Sequence, residues 1–299
     1  MVAKKKLKFD SFFGFAISEA KKKGDLVRIA FQFNVKDDFP PESKLIMTQH
    51  ILDDVVYPEI MNRVKEGSLE PNFRLQHAHL LLYSDPSRNE ILLNKDCRMI
   101  AKMKAVKGKV FENNQPVKEK DVEEIIGIYP NYNNDPNAAH IMLSKFKGKW
   151  YFAANLIYDR IKVQSLFNTS QKFLKSVCTS LEEENWSPFV DNLFSVTELS
   201  IQSILRLRHY NGYSRKQSHT KTRELLKGYC ETGNAPMTFL ENYDKLWALR
   251  KKARYLQGTG GKEFTIEKEK ARQMLSVTEE MISYTKSLLQ VINNYSMTH

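Results

Sequence analysis

Hydrophobic and polar residues alternate along most of the first half of the chain and recur at helical spacing along the second. The change falls near Tyr158 and divides the sequence. From Leu26 to Val35, residues Val27, Ile29, Phe31, Phe33 and Val35 take one side and Arg28, Gln32 and Asn34 the other, the period of a half-buried strand. A short helix over 10–23 precedes it and stops at Gly24. Pro40-Pro41 opens a helix expected to reach about Lys65, which Pro58 should kink or split. Leu75–Tyr83 predicts a second strand, 85–89 a turn, and Glu90–Val106 one or two extended segments. Asp121–Ile128 reads as a short helix and Tyr129–Asn137 as a proline-punctuated surface loop. Ala139–Phe146 and Trp150–Asn155 read as a hairpin across Lys147-Gly148-Lys149. Together these elements predict an α+β domain on a mainly antiparallel sheet over residues 1–157.

Five helices are expected in 158–299. The first covers about 159–184, with Ile161, Leu166, Phe173, Leu174, Val177 and Leu181 as its apolar positions. Ser187-Pro188 supplies an N-cap and a first-turn proline for the second, which buries Val190, Leu193, Phe194, Thr197, Ile201, Ile204 and Leu205 and ends at Asn211-Gly212. The third covers about 218–231. The fourth begins at the Thr238/Glu241 capping box and carries Phe239, Leu240, Tyr243, Leu246, Trp247 and Ala253 inward. The fifth starts at Thr265, with Ala271, Leu275, Thr278, Ile282, Thr285, Leu289 and Ile292 in phase. Short connections between antiparallel helices predict an all-α antiparallel bundle. The fold class expected is therefore α+β, a sheet domain followed by a helical bundle.

Composition narrows this reading without changing it. Hydrophobic residues make up 41% and charged residues 27%, the balance of a globular protein in water. No apolar run is long enough for a membrane span and no apolar stretch follows the basic N-terminus, so a cytoplasmic protein without a membrane partner is expected. Cys97, Cys178 and Cys230 are far apart and odd in number, which argues against a disulfide framework. The net charge is +11, and residues 204–254 concentrate it, with 12 Lys and Arg against 4 Asp and Glu. Such a patch suits a polyanion such as RNA, and equally a solvated basic face.

No signature of a nucleotide cofactor, nucleophile elbow or zinc protease occurs, and no cofactor is expected. Gly258-Thr-Gly-Gly261 follows a helix and reads as a cap, not a phosphate cradle. His77 and His79 share a strand face and His140 begins another strand, which makes them weak candidates for a metal site. Tyr129 and Tyr132 are loop aromatics suited to base stacking or to covering a sheet edge. The denser constellation is in the bundle. Arg206, Arg208 and His209 close the second helix, Arg215, Lys216 and His219 lead into the third, and Arg250 and Arg254 lie on the fourth. If those helices are neighbours, the cations converge on one cleft. There arginine would stabilise phosphate charge and histidine would move the proton of a ribose 2′-hydroxyl. Cations at helix C-termini are also favoured simply by the helix dipole.

Three segments then carry a resemblance. Asp191-Asn-Leu-Phe-Ser-Val-Thr-Glu198, Ser218-His219-Thr-Lys-Thr-Arg-Glu-Leu-Leu226 and Leu246-Trp-Ala-Leu-Arg-Lys-Lys-Ala-Arg-Tyr255 together resemble the HEPN superfamily of prokaryotic helical domains, over roughly 160–296. The resemblance implies a helical bundle that is often dimeric. It also implies either a metal-independent endoribonuclease of toxin–antitoxin or defence type, or a non-catalytic module that binds RNA, nucleotides or proteins. The superfamily's catalytic motif places a histidine four to six residues beyond an arginine. After Arg250 that stretch holds Arg254, Tyr255 and Leu256, and no histidine follows before His299. The leading expectation is thus a non-catalytic domain that binds RNA or another phosphate-bearing ligand through Arg206, Arg208, Arg215, Lys216, Arg250 and Arg254. One alternative is a divergent nuclease using Arg250 with His219 or His209. The other is a homodimeric scaffold.

Overall fold

The computed structural model describes residues 41–109, 117–131, 135–213, 218–255 and 263–290. The helix expected over 10–23, the strand expected over 26–35, and Tyr132, Arg215, Lys216, Gly258–Gly261, Ile292 and His299 lie outside them. The chain divides into two compact units between Tyr158 and Asp159.

The described part of the first unit begins with helix α1 (Pro41–Ile51), a π-helical turn (Leu52–Val56) and helix α2 (Tyr57–Lys65). Pro58 has no N–H and its ring crowds the carbonyl four residues back, so the α ladder cannot run through it. The Tyr57 N–H instead donates to the carbonyl of Leu52, five residues back. Proline splits the helix here without turning the chain away. Met47, Ile51, Leu52, Val55, Val56 and Ile60 stay in helical phase and are buried.

They pack on a four-stranded antiparallel sheet of order β2-β1-β5-β6. Its strands are β1 (His77–Leu82), β2 (Glu90–Leu93), β5 (Ala139–Phe146) and β6 (Lys149–Asn155). Alternation does what the sequence predicts. Ala78, Leu80 and Leu82 pair with Leu143, Ile141 and Ala139 and face the helices. His77, His79 and Leu81, opposite Ser144, Met142 and His140, take the other face. The β5–β6 turn has φ of 47° at Lys147 and 78° at Gly148, the doubly left-handed geometry of a tight hairpin.

Strands β3 (Met99–Ala105) and β4 (Val122–Pro130) form a separate two-stranded sheet. The helix expected over Asp121–Ile128 is therefore a strand, preceded by one 3-10 turn at Glu119–Asp121. The reason is visible in the register. It shifts between Lys102 and Met103 and between Lys104 and Ala105, so β4 carries an extra residue at each point. Among its buried residues, Val122, Ile125 and Ile128 are then spaced by three rather than two, which mimics a helical period, and Pro130 follows at two. Ile125 and Ile128 pack against Met142 and cover the second face of the main sheet.

The second unit contains helices α3 (Arg160–Glu182), α4 (Trp186–Leu207), α5 (His219–Glu231), α6 (Met237–Tyr255) and α7 (Lys268–Gln290). Helix α4 packs against each of the other four, and every position expected inward on it is buried. It starts two residues before the expected cap, from Asn185, with Ser187 and Pro188 inside its first turn. Helix α6 likewise starts at Met237, ahead of Thr238. Helix α3 differs more. Val163, Ser170, Val177 and Ser180 face inward, while Ile161 is 60% exposed and Phe173 is exposed too. The buried face of α3 is therefore made partly of small serines, and two of the larger side chains expected on it lie outside. Between α4, α6 and α7 lies a buried, hydrogen-bonded polar cluster. Thr197 and Thr278 hydroxyls are 2.9 Å apart, and Asn242 Nδ2 donates to Thr278 Oγ1 and to the Met274 carbonyl.

Candidate functional site

Asp191, Phe194 and Glu198 fall at i, i+3 and i+7 of α4 and so share one face. Each engages a residue from the sequence shortlist. Ser218 caps α5 by accepting a hydrogen bond from the Lys221 N–H, which sets His219 as the first helical residue. There the His219 Nδ1–H donates to the Glu198 carboxylate, since an ionised carboxylate can only accept. Nε2, the other ring nitrogen, lies outside that bond. Tyr243 Oη donates to the His219 carbonyl, and the imidazole packs edge-on against Phe194 at 5.5 Å between centroids. The imidazole is 41% exposed and its carboxylate partner 14%, so the dyad is anchored inside and open outside.

At the other end of the stripe, Asp191 holds two arginines from α6. Arg250 Nε donates to Oδ1 at 2.8 Å, and Arg254 donates Nε to Oδ1 and Nη2 to Oδ2, both at 2.7 Å. Arg250 Cζ also lies 4.6 Å from the Phe194 centroid, a cation–π contact. Burial acts to raise the Asp191 pKa, but the hydrogen bonds from Arg254 and Arg250 outweigh it and hold the group below its ordinary value. Burial pushes the Tyr243 phenol well up, so it stays a neutral donor. One aromatic ring therefore carries an oriented imidazole and a guanidinium. That combination can meet a phosphate and an adjacent hydroxyl together.

The other bundle candidates sit elsewhere. Arg206 is tied to Asp159 at 3.0 Å, with both side chains largely buried, and lies over the Tyr213 ring. Arg208 approaches the Tyr229 hydroxyl. His209 is 3% exposed in the left-handed turn that ends α4. His219, Arg250 and Arg254 come together; Arg206, Arg208 and His209 do not join them. The sequence shortlist omitted Asp191, Phe194 and Glu198. Their signal was two acids flanking an aromatic on one helical face, at the edge of the buried stripe.

In the first unit two of the three histidines pair and the third does not join them. His77 Nδ1 is 2.9 Å from Ser144 Oγ, directly across the β1–β5 pair. His79 and His140 are diagonal neighbours on the same face, fully buried, with Nε2 and Nδ1 2.9 Å apart. The Arg98 backbone N–H donates to His79 Nδ1, so His79 carries its proton on Nε2 and donates it to His140. Burial chiefly, with Arg98 adding and Asp135 opposing, lowers the His79 pKa to about 4. Asp135 itself accepts from Tyr83 Oη and twice from Arg98 Nη1. Among the described residues no group of three or more histidine, cysteine or acidic side chains is arranged to hold a metal ion. This polar network ties the start of β3 to the main sheet.

A concavity of about 1040 Å³ runs between α6 and α7, lined by Thr238, Asn242, Lys245, Leu249, Lys270 and Met274 among others. It includes none of the residues around Phe194. No helix among the described residues is long and apolar enough to cross a membrane. In comparisons with known proteins, no family model and no curated sequence matches the chain.

Proposed function

We propose that the second unit is a HEPN-like domain that binds RNA or another phosphate-bearing ligand, without cutting it, on the face formed by His219, Arg250 and Arg254. The observation that carries this reading is the pair of contacts on Phe194, with a guanidinium over the ring and a half-exposed imidazole at its edge. Arginine offers a planar fork matched to phosphate oxygens, and a neutral imidazole accepts from a ribose hydroxyl or donates to a phosphate when protonated. The basic surplus of residues 204–254 adds a long-range attraction for the same ligand. Asp191 removes part of the local positive charge, so the site suits a ligand held by geometry as much as by net charge.

The test is titration of labelled single-stranded RNA into the wild type and Arg250→Ala at low and moderate salt, with each sample then run on a gel after incubation with EDTA. Wild-type binding that weakens with salt is expected, with intact RNA. Affinity falling about tenfold or more in Arg250→Ala is also expected, since a charge-assisted hydrogen bond contributes about 1.5–3 kcal/mol. Removing Arg250 leaves Asp191 paired with Arg254, so the variant keeps a partner for that carboxylate. Absence of binding in the wild type at low salt refutes the reading.

The His219–Glu198 contact favours a second reading, a divergent metal-independent endoribonuclease in which His219 serves as general base. RNA that is cut in EDTA by the wild type and left intact by His219→Ala would establish it.

A further inference from the structure

Asp191 poses a problem for a phosphate site, because it places a carboxylate beside the two arginines that would bind the anion. Electrostatics alone makes it a competitor, which lowers affinity. Its hydrogen bonds argue otherwise. It takes only Nε from Arg250, and the Nη1 and Nη2 amino groups remain outside that pair. Those are the donors that engage a phosphate end-on through two parallel N–H bonds. With Nε fixed and the Cζ held over Phe194, the guanidinium has both its position and its plane constrained. The same oxygen, Oδ1, also accepts Arg254 Nε, so one carboxylate offsets the repulsion between two cations that must lie close together. An arginine otherwise loses considerable rotamer freedom on binding, and pre-ordering reduces that cost.

We propose that Asp191 is a positioning residue of the phosphate site: it locks Arg250 over Phe194 with its terminal nitrogens presented to the ligand, and so strengthens anion binding despite its own negative charge. This rests on the binding reading above and specifies how that site reaches affinity.

The prediction runs against net charge. Asp191→Asn raises the protein's charge by one unit yet weakens binding of the labelled single-stranded RNA about fivefold or more. Asp244→Asn is the matched control. Asp244 lies on α6, the helix of Arg250, is half-exposed, and is bonded bidentately to Arg223 at 2.6 Å. It raises the charge equally and leaves Arg250 in place, so its affinity is unchanged or slightly tighter. The second readout is a double-mutant cycle. If Asp191 acts mainly through Arg250, the Asp191→Asn/Arg250→Ala double variant loses clearly less than the sum of the two single losses, the remainder coming from Arg254. Additive losses, or Asp191→Asn binding as tightly as Asp244→Asn, overturn the proposal. Should the amide variant fail to fold, Asp191→Glu carries the test at unchanged net charge. It shifts the carboxylate by one methylene, so weakened binding is expected and wild-type binding overturns the proposal. The two readings fail separately. A wild type that does not bind removes the phosphate site itself. A wild type that binds and loses affinity in Arg250→Ala but not in Asp191→Asn removes only the role of Asp191.

Discussion

The buried His79–His140 pair makes the first unit acid-sensitive in a pH range where carboxylates hardly titrate. His79 is neutral in the fold because burial holds its pKa at about 4, against 6.5 when exposed. In the unfolded chain it takes up a proton below about pH 6.5. The contribution is therefore complete above pH 6.5 and is lost as the pH falls toward 4, because the unfolded state binds the proton first. Between pH 7 and pH 5 only the unfolded form titrates appreciably. At about 1.4 kcal/mol per pH unit over about 1.5 units, the loss is about 2 kcal/mol. His77 is also lowered by burial and adds in the same direction. Protonation has a structural meaning as well, since a proton on His79 Nδ1 would face the Arg98 N–H that it now accepts from.

Hydrogen exchange followed by mass spectrometry on peptides from β1 and β5 reads this unit separately from the helical one. After correction for intrinsic exchange, protection should fall about 30-fold from pH 7 to pH 5 in the wild type. His79→Gln keeps a donor and an acceptor but does not titrate. Its protection should be lower at pH 7 and should change by about 2 kcal/mol less across the same interval. Equal pH dependence in the two proteins would refute the reasoning.

Two further perturbations probe the frame around the sites. Gly148→Ala places a side chain at φ of 78° in the β5–β6 turn and should cost about 1 kcal/mol, measured by urea denaturation. Thr278→Val removes the hydroxyl that meets both Thr197 and Asn242 and should cost about 1–3 kcal/mol, with Thr197→Val/Thr278→Val less destabilising than the sum of the single changes.

The candidate site was half legible in the sequence. His219, Arg250 and Arg254 stand out because polar groups at capped helix ends and on an apolar face demand partners. Which partners they take depends on helix rotation and on which helices touch. Arg206 looked equivalent to Arg250 along the chain, yet it ends in an ion pair with Asp159, forty-seven positions away. Asp191 and Glu198 were ordinary acids until α6 and α5 brought cations to them.

For the fold, local sequence was enough for the strand faces of β1 and β5, the hairpin at Lys147-Gly148, the helical character of the five segments α3 to α7, and the buried face of α4. These follow from local periodicity and backbone preference, which act within a few residues. Tertiary structure decided the rest. Bulges paired with β3 turned the three-residue spacing of Val122, Ile125 and Ile128 into a strand. On α3, the rotation of the helix in the bundle left Ser170 inside and Ile161 outside. Period and propensity are properties of a segment, whereas register, helix rotation and ion pairing are set by the neighbour that the segment meets.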